Sequence, residues 1–409
     1  MVSAQQRSVF SASSPEPSLT HAGPVNAVTF SSYPGTYVLS GAADRAVHLS
    51  RAIPNNSGSS PTETSTPIQK YEAHGYTVLD IAVAADNARF ASVGGDRQVF
   101  LWDVEQGITV RRWSGHMSRI EAVEFAGEGD SVVVSGSADT TINLWDARSN
   151  AHKPLQTLSE ATDTVSALHV HMPTYSIASG SYDGRVRIYD LRMGRTTVDV
   201  LAHPVTSVRC SADGNALLAS TLDGRIRMLD RADGKLLKAF GTDESAAGAG
   251  GPRRYRNSEL RVRSVFAQGD AVVLSGSEAD KESGYGDAAV FAWDVLSGEV
   301  VGCVPAGEGV RVGRSKFTDK ATCAVAKTDA KCICSSPTRC LHDTCNAPRS
   351  KQKDNGAIRI QESQESDRPR MGIGSVLAGV SSTMRSQAKH NLNTISIHSW
   401  RNCAIQPDH

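Results

Sequence analysis

Between residues 25 and 294, short apolar runs alternate with polar turns, and within each run the apolar positions favour the two-residue period of strands. Val25–Phe30, Tyr37–Ser40 and Ala46–Ser50 read as three successive strands bounded by Gly and Asp turns. The last strand of such a set recurs six times. It ends at Arg51 (AADRAVHLSR), Asp103 (GGDRQVFLWD), Asp146 (SADTTINLWD), Asp190 (SYDGRVRIYD), Asp230 (TLDGRIRMLD) and Asp294 (GDAAVFAWD). Each copy opens on a turn aspartate: Asp44, Asp96, Asp139, Asp183, Asp223 or Asp287. Asp96, Asp139, Asp183 and Asp223 follow one another at 43, 44 and 40 residues. The first apolar residue of a set precedes the closing aromatic position by 24 or 25 residues, as in Val78–Trp102 and Ile120–Trp145.

A period of about 40–45 residues, with Trp-Asp at the end of a strand, is that of WD40 β-propeller blades. The expected fold is all-β, a seven-bladed WD40 β-propeller with a disordered C-terminal tail. The same spacing carried from Val310 to Ser335, with Asp329 at the turn, predicts a degenerate seventh blade. Pro17–Thr20 then supplies its outer strand, and closure leaves no bare sheet edge. The expected organisation is an N-terminal extension over 1–17, the propeller over 18–336 and a polar tail over 337–409 that buries too little to order. Insertions interrupt the period at 52–67, 241–259 and 279–286. The first lies between strands c and d of blade one. The other two lie in the d–a and b–c connections of blade six, on one face.

Charge narrows the functional classes. Lys plus Arg equals Asp plus Glu at 43 each, a balance that does not point to nucleic acid or to a membrane surface. The start shows no apolar leader, and no apolar run approaches the ~18 residues of a membrane span. Six of the eight cysteines lie between Cys303 and Cys345, unlike a secreted disulfide framework, so a reduced cytoplasmic and nuclear setting is expected. The composition fits a monomeric protein-binding propeller with no cofactor.

His74, Ser92, Asp96 and Trp102 stand at the WD40 tetrad positions, as do His116, Ser135, Asp139 and Trp145. Their recurrence gives the Ser-His-Asp set a structural role rather than a hydrolytic one, so no catalytic residue is expected. Arg45, Arg97, Arg185 and Arg225 follow turn aspartates, where guanidinium forks can ring the channel mouth and take an acidic partner segment. GPRRYRNSELRVR places Arg253, Arg254, Arg256, Arg261 and Arg263 beside Tyr255, a solvated basic loop able to take a phosphorylated or acidic peptide, or RNA. WDAR and YDLR carry Arg148 and Arg192 in the form of the WDxR box of cullin-4 substrate receptors, whose arginine helps dock the ligase adaptor. Cys332, Cys334, Cys340, His342 and Cys345 are close in sequence but lack a familiar zinc spacing, so no metal is expected.

The wording of several segments goes further. AHGYTVLDIA (73–82), SGSADTTINLWDARS (135–149), SGSYDGRVRIYDLRMG (179–194) and STLDGRIRMLD (220–230) resemble the mitogen-activated protein kinase organizer family, the WD repeat-containing protein 83 group. The resemblance runs from about His21 to Val304. It implies a non-catalytic seven-bladed scaffold for kinase-cascade components, also linked to spliceosomes. The insertions, the degenerate last blade and the tail depart from that pattern. The alternative, drawn from the two WDxR-like boxes, is a substrate receptor of a cullin-4 ubiquitin ligase.

Overall fold

Each alternating set folds as a four-stranded antiparallel sheet, with strands a to d adjacent in chain order and the turn aspartate between b and c. The computed structural model describes residues 18–51, 67–241, 246–248, 251–278, 288–307, 310–312, 323–327 and 331–335, with side chains over 21–51, 67–241, 254–278 and 288–303. Blade one comprises Val25–Phe30, Tyr37–Ala42, Ala46–Arg51 and Gln69–Glu72. Blade two comprises Val78–Val83, Arg89–Gly94, Gln98–Asp103 and Thr109–Ser114. Blade three comprises Ile120–Ala126, Val132–Ser137, Ile142–Asp146 and Gln156–Leu158. Blade four comprises Val165–His171, Ser176–Ser181, Arg185–Asp190 and Arg195–Val200. Blade five comprises Val205–Cys210, Ala216–Thr221, Arg225–Asp230 and Leu236–Phe240. Blade six comprises Ser264–Ala267, Val272–Ser277, Ala288–Asp294 and Val300–Gly307.

The molecule is thus an all-β propeller. Its described side chains make six blades rather than the seven expected. Main-chain strands Val310–Val312, Cys323–Lys327, Lys331–Ser335 and Ser18–Thr20 form one further four-stranded sheet, whose side chains lie outside the described residues. The expected tail over 337–409 and the extension over 1–17 also lie outside them.

The core is divided among the seams between blades. One cluster joins Val93, Leu101 and Trp113 of blade two to Ile120, Phe125 and Trp145 of blade three. The next joins Val134 and Leu144 of blade three to Val165 and Ile177 of blade four. Burial on both faces explains near-continuous apolar strands such as VVVSGS. It also explains the recurrent Ser-Gly of strand b. A β-carbon on Gly41, Gly136 or Gly180 would lie 2.6, 2.7 or 2.6 Å from the first valine of the following blade. At the rim, Tyr71 Oη donates to the Val104 carbonyl at 3.0 Å and Trp113 Nε1 to that of Ala151 at 3.1 Å, bolting each outer strand to the following blade.

Candidate partner-binding face

The tetrads predicted in blades two and three are assembled. His74 joins Asp96 at 2.6 Å and Ser92 at 2.7 Å, and Trp102 Nε1 donates to Ser92 Oγ at 2.8 Å. His116, Asp139, Ser135 and Trp145 repeat the arrangement. Blade one carries a third histidine, His21, bonded to Asp44 and Ser40 at 2.8 and 2.7 Å. Ser40, Ser92 and Ser135 are fully buried and their histidines are sealed beneath the turn, so no substrate reaches the hydroxyls. Burial alone raises the Asp44 carboxyl, but His21 and the Ala46 and Ala22 N–H groups outweigh it and hold it at about 2. At Asp139, burial is likewise outweighed by His116, Thr141 and the Met117 N–H, leaving it well below the usual carboxylate range.

Blades four to six keep the aspartate or serine and replace the histidine. In blade four, Arg187 rises from strand c and meets Asp183 at 2.7 Å, while the histidine position is taken by buried Ala161. In blade five, Arg227 meets Asp223 at 2.5 Å; half-exposed His203 stands 3.8 Å away and does not complete a tetrad. In blade six, Tyr255 is buried against Phe291 and Trp293, and its hydroxyl lies 3.3 Å from Ser275 Oγ. Asp287 lies outside the described residues.

His48 occupies the strand position of Arg187 and stacks on His21 at 3.9 Å with an interplanar angle of 12°. His21, Asp44 and His48 present ligand atoms within 4.8 Å of one another. They do not make a metal centre. Parallel rings direct their in-plane lone pairs side by side rather than to one point, and both His21 nitrogens are already bonded. The Cys332, Cys334, Cys340, His342 and Cys345 group lies outside the described side chains.

The basic loop differs from its sequence reading. Tyr255, Asn257 and Val262 are buried, and the Glu278 carboxylate accepts from the N–H groups of Ser258, Glu259 and Leu260 and from the Ser258 hydroxyl. Two of its arginines turn inward. The first strands of successive blades adjoin around the central channel, and Arg261 and Arg263 stand where blade six enters that ring. Arg263 Nη1 reaches Asp80 of blade two at 3.0 Å. Arg261 Nη1 reaches the Glu121 carboxylate of blade three at 2.8 Å and the Ser166 carbonyl of blade four at 3.3 Å, and Nη2 reaches the Leu79 carbonyl at 3.2 Å. Deeper in, Arg209 of blade five pairs with Glu124 of blade three at 3.1 Å. The channel is therefore spanned by ion pairs. Burying these charges without partners would be prohibitive, which is why the loop is ordered here.

The four predicted turn arginines are all exposed at one end of the ring. They occupy two registers, not one. Arg45 and Arg97 follow the aspartate directly in left-handed conformation, with φ of 68° and 60°. Arg185 and Arg225 come one residue later, after Gly184 and Gly224, as the first residues of strand c. Backbone N–H groups of the d–a loops, from Ala22, Met117 and Thr162, bond to the turn aspartates, so both sets of connections share this end. Arg148 and Arg192 lie at the opposite end of strand c. Arg148 donates to the Glu128 carbonyl at 3.0 Å, and Arg192 stacks on Tyr175 at 5.3 Å. Both are exposed, but each already has a partner within its own blade.

The comparisons agree with the architecture. A family model described as Nucleolar protein 10-like, N-terminal domain, a β-propeller, matches residues 76–250. WD repeat domain-containing protein 83 of Homo sapiens is 37% identical over 288 residues, covering 70% of this chain and 81% of that protein. An uncharacterized WD repeat-containing protein of Schizosaccharomyces pombe is 36% identical, covering 66% of this chain and 80% of its own length. The WD repeat domain-containing protein 83 homolog of Dictyostelium discoideum is 25% identical, covering 69% and 85%.

Proposed function

Given that the chain belongs to the WD repeat domain-containing protein 83 family, we propose that it is a non-catalytic scaffold that gathers protein partners on the b–c and d–a end of its ring. The observation that carries this reading is the division of its polar groups. Those able to do chemistry, such as Ser92 and His74, are consumed by internal hydrogen bonds, while Arg45, Arg97, Arg185 and Arg225 stand exposed together. Loops and forks on a rigid ring suit recognition of acidic protein segments. In this reading the sheet built from Val310–Val312, Cys323–Lys327, Lys331–Ser335 and Ser18–Thr20 is the seventh blade and closes the ring. The partners are components of a kinase cascade or of a pre-mRNA splicing complex, met in the cytoplasm and nucleus.

The test is affinity purification of the protein followed by mass spectrometry. Arg97→Glu with Arg185→Glu is expected to deplete the principal partners without lowering the melting temperature, most strongly at low salt. Arg148→Glu with Arg192→Glu is the control at the other end. If that pair alone removes the partners and with them a cullin-4 adaptor, the ligase-receptor reading replaces this one.

A further inference from the structure

We propose that Arg119 is a pre-oriented receptor at the channel mouth for an acidic side chain, one carried beside an apolar residue in a partner protein's segment. The proposal rests on the reading that the b–c and d–a end is the partner face.

Arg119 closes the d–a loop of blade three, one residue before strand a begins. Its Nε lies 2.6 Å from Glu121 Oε1, and Glu121 is held on its other oxygen by Arg261 at 2.8 Å. Arg261 cannot follow a ligand outward, because three backbone carbonyls, those of Glu121, Ser166 and Leu79, also hold it. Beyond Glu121, the Arg119 side chain has no partner among the described residues, and 59% of it is open to solvent.

The charges assign Arg119 its role. Arg119, Arg261 and Arg263 face two carboxylates, Glu121 and Asp80. Asp80 is taken by Arg263 and by the N–H groups of Ile81 and Val123. Glu121 is taken by Arg261. Among the described residues, the positive charge of this group not matched by a carboxylate is that of Arg119, a single charge at the edge of a partly desolvated ring. One carboxylate neutralises it; a doubly charged phosphate would overshoot. A guanidinium anchored through Nε also loses less side-chain freedom on binding than a free one.

Apolar surface lies close by. Met117, in the same loop, is 80% exposed, and Tyr76, in the corresponding loop of blade two, is 65% exposed. Tyr76 packs beside Gly95, in the turn that leads to Arg97. The two exposed apolar side chains thus belong to the loop that carries Arg119 and to the matching loop of the adjoining blade.

The experiment immobilises the full-length protein and measures retention of three pools of short peptides. The pools carry glutamate, glutamine or phosphoserine at a fixed central position with randomised flanks. Retention of the glutamate pool is expected, with apolar residues enriched beside the glutamate. Arg119→Ala should cut that retention about tenfold or more at unchanged melting temperature, and Arg119→Lys should restore little of it. Equal retention of the glutamine pool, retention of the phosphoserine pool instead, no retention, or indifference to Arg119→Ala each overturns the proposal. Loss of the glutamate pool with Arg97→Glu and Arg185→Glu but not with Arg119→Ala would leave the partner face standing and remove only Arg119. Loss with Arg148→Glu and Arg192→Glu alone would remove the partner face as well.

Discussion

Arg263 and Asp80 are 183 residues apart in the chain, yet Nη1 of one lies 3.0 Å from Oδ1 of the other. Both side chains are largely withdrawn from water, so the pair is costly to break from one side. Asp80→Ala also frees the Val123 and Ile81 N–H groups. A loss of about 3–5 kcal/mol is expected in chemical denaturation. Asp80→Leu combined with Arg263→Met should cost less than the sum of the two single changes, because no lone charge is left behind. Strict additivity would show that the pair does not couple the blades.

The substituted tetrads make a graded prediction. Asp139→Ala leaves His116, Met117 N–H and Thr141 without their acceptor, at about 1–3 kcal/mol. His116 keeps its hydrogen bonds to Ser135 and Thr141. Asp183→Ala leaves Arg187, only 2% exposed, and a guanidinium cannot shed its proton. A larger loss, about 3–5 kcal/mol, is expected there. Denaturation midpoints of the two variants side by side decide the order.

His48 predicts a pH response near neutrality. Burial first, then the neighbouring His21, pulls its pKa from 6.5 to about 4; Asp44 opposes this and Lys70 adds to it. Because the folded-state value lies below the unfolded one, the unfolded chain binds more protons in that window. Stability is full above 6.5 and falls as pH drops from there towards 4. The depressed Asp44 and Asp183, each at about 2, withdraw their contribution only below the usual carboxylate range, between ~4 and 2. His48→Phe, which installs the side chain that Phe100 provides in blade two, should flatten the upper window and leave the lower one. An unchanged slope between pH 4 and 6.5 would assign the response elsewhere.

Thr140 stands in left-handed conformation at φ 71°, where blades four and five use Gly184 and Gly224. A β-branched residue is strained there. Thr140→Gly should raise stability by about 1 kcal/mol despite the greater freedom of glycine in the unfolded chain. A lower melting temperature would mean that the threonine methyl and hydroxyl contribute more than the backbone strain.

What the sequence made legible was local and recurrent. The turn aspartates and the tetrads of blades two and three announce themselves because one spacing repeats. His21, Ser40 and Asp44 keep the spacing of His116, Ser135 and Asp139, so their signal was present, but Ser50 stands where a tryptophan would have drawn attention to it. Arg185 and Arg187 look alike in RVR. Strand parity cannot separate them, because i and i+2 share a face; depth does, since Arg185 is the exposed first residue of strand c and Arg187, two residues further in, lies buried against Asp183. Tyr255, Arg261 and Arg263 had no such signal. The insertion before strand a of blade six breaks the spacing that would have marked Tyr255 as a histidine substitute. The partners of the two arginines lie across the ring, at separations that local patterns do not encode.

The cross-channel ties also set a schedule for synthesis. Asp80 and Glu121 leave the ribosome long before Arg261 and Arg263, which follow by 183 and 140 residues in the two pairs. At about 5–20 residues per second, blades two and three wait roughly ten to forty seconds for the cations that neutralise their buried carboxylates. During that interval Asp80 and Glu121 lack their blade-six cations, and closing the inner strands against each other is less favourable. The acids at the centre thus keep the young chain open to water until blade six arrives, and the nascent propeller is guarded against premature collapse by the same groups that later lock it.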